Sequence, residues 1–194
     1  MAADPKDLTT IADVKTLLNI TASTWDTLLQ SLVTAASKFI ANYCDRDFCD
    51  AGSDVTEYYD GYDGEIKTLR LKKYPITSIT SIGSRIGSFT NPTYYTYDAA
   101  TQYVFKPESG EVNFTFRLPA GHQNVKVIYR GGYAVGAYPL DLVLACQKIV
   151  AKEYLKRMSQ GITNERIGEA GVNWNEDLDP MAAQYLTYYR NLSL

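Results

Sequence analysis

The chain has 194 residues, 45% of them apolar, and a net charge of −3 from 19 Lys and Arg against 22 Asp and Glu. That composition excludes extensive intrinsic disorder and a strongly basic nucleic-acid binder. No apolar run approaches the roughly 18 to 20 residues that span a bilayer, and the first ten residues lack the apolar stretch of a signal peptide, so neither membrane nor secretion is expected.

In chain order, Ile11, Val14, Leu17 and Leu18 form a short apolar face behind Thr10, an N-cap candidate with Asp13 at the third position after it. Ser23 and Asp26 have the spacing of a second capping pair. From there Trp25, Leu28, Leu29, Leu32, Val33, Ala36, Phe39, Ile40 and Tyr43 recur at helical spacing, which predicts an amphipathic helix of about 20 residues. Between residues 50 and 133 the period changes to two. Leu69 and Leu71 alternate with Arg70 and Lys72; Val112, Phe114, Phe116 and Leu118 alternate with polar residues; so do Val125, Val127 and Tyr129. With turn signals at Asp60-Gly61, Asp63-Gly64, Asn91-Pro92, Ser109-Gly110 and Gly131-Gly132, this predicts about six to eight short antiparallel strands. Ile76, Ile79 and Ile82 recur every three residues, a period of neither strand nor helix, which predicts a bulge or a sheet crossover. Helix returns at Pro139, expected as the first helical residue, with Leu140, Val143, Leu144, Cys146, Val150, Tyr154, Leu155 and Met158 forming a broad apolar surface that ends near Gln160-Gly161. Residues 167–175 carry no helical period, and Asp179-Pro180 opens a last helix with Ala182, Tyr185, Leu186 and Tyr189 on one side.

The chemistry in these elements is sparse. One histidine, His122, excludes single-chain sites that need two; it lies in a turn and reads as a surface residue without a partner. Cys44, Cys49 and Cys146 are odd in number and form no CxxC pair, so a disulfide framework is not expected and reduced, cytoplasmic folding is the simpler reading. Acidic groups at Asp45, Asp47, Asp50 and Asp54 and at Asp60, Asp63 and Glu65 match no calcium-loop spacing and read as polar connections, so no metal and no cofactor are expected. No nucleophile elbow or P-loop occurs, and the glycines at 83, 87, 131 and 132 read as turns. Two features point to contact. Lys148, Lys152 and Lys156 form a basic stripe that could meet acidic turns such as Asp60 and Asp63 of another subunit. Trp174, Tyr185, Tyr188 and Tyr189 crowd into the last 21 residues of a chain with 16 tyrosines.

The order of these elements resembles the head–tail connector proteins of tailed bacteriophages, also called adaptor or head-completion proteins. The resemblance is carried by Thr10-Ile-Ala-Asp-Val-Lys-Thr-Leu-Leu-Asn-Ile20; by the long helix ending Ile40-Ala-Asn-Tyr-Cys-Asp-Arg-Asp-Phe48; by Val55-Thr-Glu-Tyr-Tyr-Asp-Gly61; by Tyr74-Pro-Ile-Thr-Ser-Ile-Thr-Ser-Ile82; by Val127-Ile-Tyr-Arg-Gly-Gly-Tyr133 with Tyr138-Pro-Leu-Asp-Leu142; and by Glu165-Arg-Ile-Gly168 with Val172-Asn-Trp174. Residues 83–123 match no family pattern. The resemblance implies a non-enzymatic structural protein of the virion neck, assembled in the host cytoplasm. It implies a ring, usually of twelve copies, under the portal, joining head to tail, contacting a tail, stopper or nozzle protein on its distal side and passing genomic DNA through its channel without specific binding.

Together these readings predict an α+β chain: a helical bundle from residues 1–50 and 135–194, with an inserted antiparallel β-sandwich or barrel-like domain at 51–134. Residues 161–194 are then surplus to the core and form a portal-docking segment through Arg166, Ile167, Val172, Trp174, Met181, Tyr185, Leu186 and Tyr189. Lys148, Lys152, Lys156, Asp60 and Asp63 are the subunit–subunit candidates. A carbohydrate- or cell-surface-binding β-sandwich and a carboxylate-based hydrolase are the alternative readings at this stage.

Overall fold

The computed structural model describes residues 3–50, 52–61, 67–86, 88, 92–157, 164–167, 170–173 and 179–190. Their Cα traces divide into two compact units: Met1–Asp45 with Val135–Asn191, and Arg46–Ala134.

The first unit is helical. Helix α1 (Ile11–Leu17) starts where Thr10 Oγ1 accepts the Asp13 amide at 3.2 Å and donates to the Asp13 carboxylate at 2.7 Å, a closed N-cap. Helix α2 (Asp26–Cys44) starts without a side-chain cap: Trp25 occupies the N-cap, and Ser23 contributes its carbonyl rather than its hydroxyl. It ends on Asp45, at φ +49°. Helix α3 (Leu140–Lys156) has Pro139 one position earlier than expected, as N-cap and not first helical residue. Helix α4 (Pro180–Tyr189) is capped by Asp179, whose carboxylate accepts the Met181 and Ala182 amides at 3.0 Å each.

α3 packs against each of the other three helices, and α2 also against α1 and α4. The core holds Val14, Leu29, Val33, Ile40, Cys44, Leu142, Ala145, Cys146, Val150, Ala182 and Leu186, all fully buried. Burial of each large aliphatic side chain among them contributes about 1.5–3 kcal/mol. The buried face of α2 is rotated from the expected one. Leu28 and Phe39 lie exposed at its rim, whereas Gln30 and Ser37 are buried. The cause is the N-terminal segment. Ser37 Oγ accepts the Leu8 amide at 3.0 Å and lies 3.6 Å from Cys146 Sγ, and Gln30 donates to Asp7 at 2.6 Å. Gln147 and Tyr138 add bonds to Thr9 and Pro5, so residues 5–9 are tied along the helices by hydrogen bonds.

The second unit is built of antiparallel strands. One sheet has the order β1 (Val55–Tyr59), β7 (Val125–Gly131), β3 (Ile76–Arg85), β4 (Tyr94–Thr96); another has β2 (Thr68–Arg70), β6 (Glu111–Phe114), β5 (Tyr103–Lys106). Their inward residues share one core. Ile76, Ile82, Val125, Val127 and Tyr129 come from the first sheet, Leu69, Val112, Phe114 and Tyr103 from the second, and Leu71, Tyr74, Tyr97 and Leu118 from the connections. The three-residue isoleucine period resolves into two register shifts of β3 against β7, between Ile76 and Ser78 and between Ile79 and Ser81, so all three isoleucines stay on the core side or its margin. Gly83 and Gly131 are strand residues and not turns: a Cβ on Gly83 would sit 2.5 Å from the Tyr95 carbonyl oxygen, and one on Gly131 2.4 Å from that of Lys73. Arg46 is buried between the Phe48 and Tyr74 rings, 4.6 and 3.4 Å from their centroids, and donates to the Tyr74 carbonyl. The stretch of chain assigned to the first unit also contains an antiparallel strand pair, β8 (Asn164–Ile167) with β9 (Ala170–Asn173).

Candidate contact surfaces

The charged residues of the β unit are engaged one by one rather than gathered. Asp50 accepts both bonds of Arg130 Nε, at 3.1 and 2.9 Å; burial pushes its carboxyl up, but the Gly52 amide and the Arg130 guanidinium outweigh that and hold it below the usual carboxylate value. Asp47 lies 3.7 Å from Lys73 Nζ, and Asp54 accepts from Thr80. Their oxygens point to different partners, and among the described residues no three His, Cys, Asp or Glu side chains come together as metal ligands. Asp60 accepts the Gln123 amide at 2.6 Å and faces His122 Nδ1 at 3.0 Å, and these two bonds hold its carboxyl below the usual value. The expectation of a partnerless His122 is therefore corrected, although its side chain remains 73% exposed. Asp63 lies outside the described residues.

The thiols are inert. Cys44, Cys49 and Cys146 are all buried, and burial pushes the Cys146 thiol up to about 12. Burial likewise raises Tyr59 and Tyr129 above the usual phenol value, so neither is an acid at neutral pH.

On the helical unit the basic stripe divides. Lys148 Nζ reaches Asp179 at 3.5 Å, within its own chain, while Lys152 and Lys156 are half-buried farther along α3. The docking candidates divide as well. Leu186 is fully buried and Tyr189 nearly so; Tyr189 Oη donates to Asp141 at 2.7 Å and Cys44 Sγ donates to the Leu186 carbonyl at 3.7 Å. Both belong to the core of the helical unit, which corrects the expectation that everything after residue 160 is surplus to it. What α4 turns outward is Met181, 49% exposed, half-buried Tyr185 and Tyr188, 83% exposed, spaced i, i+4, i+7 along one stripe. Arg166 and Ile167 stand on β8 and Val172 on β9; Trp174 lies outside the described residues.

Three further groupings of aromatic, apolar and Arg side chains were not singled out from the sequence. Arg157 lies over the Trp25 and Tyr154 rings, 4.1 and 3.6 Å from their centroids, with the two rings edge to face at 6.3 Å. Phe39 stacks on Tyr43 at 6.1 Å with Arg190 5.4 Å from Tyr43. Ile86 and Tyr95 of the β3–β4 hairpin are 70% and 53% exposed. Trp, Tyr and Arg are the residue types over-represented among interface anchors, whereas none of these groupings pairs a nucleophile with a base.

Comparisons with known proteins assign the chain to a family. A family model described as head completion protein matches residues 7–192. The chain belongs to the head completion protein family. No curated protein sequence matches it. Among solved structures, the fold is similar to a chain in the neck of an empty gene transfer agent particle with C6 symmetry, at TM-score 0.60 and 13% identity, covering 100% of this chain and 95% of that one. It is also similar to a chain of the native gene transfer agent virion (0.60, 15%, 100% and 94%) and to one in the native neck with C12 symmetry (0.58, 16%, 100% and 94%). Membership of the family extends across both units, so the flanking helices and the β unit belong to one protein plan.

Proposed function

We propose that the chain is a structural subunit of the virion neck: copies close into a ring, a dodecamer, that sits under the portal, joins head to tail and continues the DNA channel. The observation that carries this reading is the family match over residues 7–192 on a fold shared with neck proteins of symmetric particles. In it, the helices form a bundle that bears the portal contact, and the two sheets with their common core form an inserted sandwich-like domain. The outer stripe of α4, Met181, Tyr185 and Tyr188, is the portal-facing surface, and Lys152 and Lys156 provide a polar patch toward the neighbouring subunit. The genome passes through without specific binding, as suits a net charge of −3. No observation favours a carbohydrate-binding module or a hydrolase over this reading. Electron microscopy of the full chain with and without its portal tests it: closed rings that stack on the portal are expected, and a chain that stays monomeric and ignores the portal would refute it.

A further inference from the structure

Helix α2 has two opposite flanks. Counted at about 100° per residue, Gln30, Thr34 and Ser37 point one way. There the N-terminal segment is bound: Gln30 and Thr34 donate to Asp7 at 2.6 and 3.3 Å, and the Leu8 amide donates to Ser37 at 3.0 Å. Trp25, Leu28, Leu32 and Phe39 point the other way, about 180° round the helix. Leu32 is half-buried and the other three are exposed, so an uncharged apolar stripe about 21 Å long stands open on α2.

Cations border this stripe. Arg157 lies over the Trp25 ring, Lys38 is exposed next to Phe39, and Arg190 of α4 lies 5.4 Å from the Tyr43 ring centroid, which places α4 on the same side of α2. The row Lys148, Lys152, Lys156 starts beside α4, where Lys148 reaches Asp179, and continues past it. Against these cations stand the exposed Glu153 and Asp45, with Asp179 already engaged by Lys148. The opposite flank has the reverse character. Lys15 reaches Asp26 at 2.7 Å and ties α1 to the side of the N-terminal segment. Val14 is buried in the helical core, so Ala12, Asp13, Thr16 and Leu17 face away from it, Leu17 being 52% exposed. Asp4 and Asp13 are the exposed acids of this flank and Lys6 its exposed base.

We propose that the α2 stripe of one copy receives the outer face of α1 from the next copy, an inference that rests on the ring reading above. Leu17 packs on the row Trp25, Leu28 and Leu32, and Asp4 and Asp13 supply the acids that Lys152, Lys156 and Arg157 meet. An uncharged centre with charges at its border is the usual anatomy of a protein interface. The two faces lie on opposite flanks of one helical unit, so each copy gives one and receives the other, which is the heterologous contact that closes into rings.

The test uses the full chain with Leu17→Lys or Leu17→Glu. Both changes fall on an exposed face, so both variants are expected to keep their circular dichroism. Leu17→Lys places a cation against the cations that border the stripe, and is expected to need about tenfold higher concentration to form rings by native mass spectrometry, with Leu17→Glu less impaired. A second measurement covers the case in which a variant misfolds: subunits bearing Leu17→Cys, mixed with subunits bearing Leu28→Cys, are expected to join between copies with a short bismaleimide, the native cysteines being buried. Rings of Leu17→Lys at wild-type concentration, greater impairment by Leu17→Glu than by Leu17→Lys, or failure of the mixed subunits to cross-link within assembled rings would overturn this contact and leave the ring reading standing. A wild-type chain that forms no ring, with or without portal, would overturn the ring reading itself.

Discussion

Leu186 and Tyr188 stand two positions apart on α4 and have opposite fates, one fully buried and the other exposed. Leu186→Ala is expected to lower unfolding stability by about 2–5 kcal/mol in a denaturant titration, because the cavity opens inside the helical core. Tyr188→Ala is expected to change it by less than about 0.5 kcal/mol while weakening portal binding. Equal stability losses would show that the outer stripe is part of the core. At Asp60 the direction of the pH effect follows from its depressed carboxyl: the folded state holds the charged form better than the unfolded state does, so stability is present above the unfolded value of about 3.9 and is lost as pH falls through the folded value. His122→Ala removes one of the two bonds responsible, so its melting temperature is expected to depend less on pH on the acid side than that of the wild type, with assembly at neutral pH unchanged. A steeper acid loss in the variant would contradict the assignment.

At the scale of elements, Asp179 is the test of α4. Asp179→Ala leaves the Met181 and Ala182 amides without their cap and frees Lys148, and is expected to cost about 0.5–2 kcal/mol. The Asp179 carboxyl is held low, first by the Ala182 amide, so the wild type sheds the same contribution as pH falls below about 4 and the two proteins converge there. Helix positions were legible in the sequence because period and caps are local: Thr10, the apolar run of α2 and the Asp179-Pro180 start all stand as read. The buried face of α2 was less legible, since Gln30 and Ser37 are drawn inward by Asp7 and Leu8, more than twenty residues away in the chain. Gly83 was misread for a similar reason: only the approach of Tyr95 shows why a strand there excludes a side chain. Gly83→Ala is accordingly expected to destabilise the β3–β4 hairpin by about 1–3 kcal/mol, measurable by hydrogen exchange of the Ile86 and Tyr97 amides.

For the whole molecule, the order of elements identified the family, and the contact surfaces were less legible because period alone does not tell which face of a helix its neighbours cover. The tail shows this most clearly. Its aromatic content suggested one docking segment, yet Leu186 and Tyr189 close the helical core, Met181, Tyr185 and Tyr188 face outward, and β8–β9 stands as a separate strand pair. The neck reading depends on two surfaces of the helical unit working together: the outer stripe of α4 toward the portal, and Lys152 and Lys156 toward the neighbouring subunit. Electron microscopy of the full chain mixed with its portal protein tests that reading most directly. The account predicts closed rings seated on the portal with continuous density across the junction; separate monomers beside bare portals, at concentrations where both proteins are folded, would contradict it.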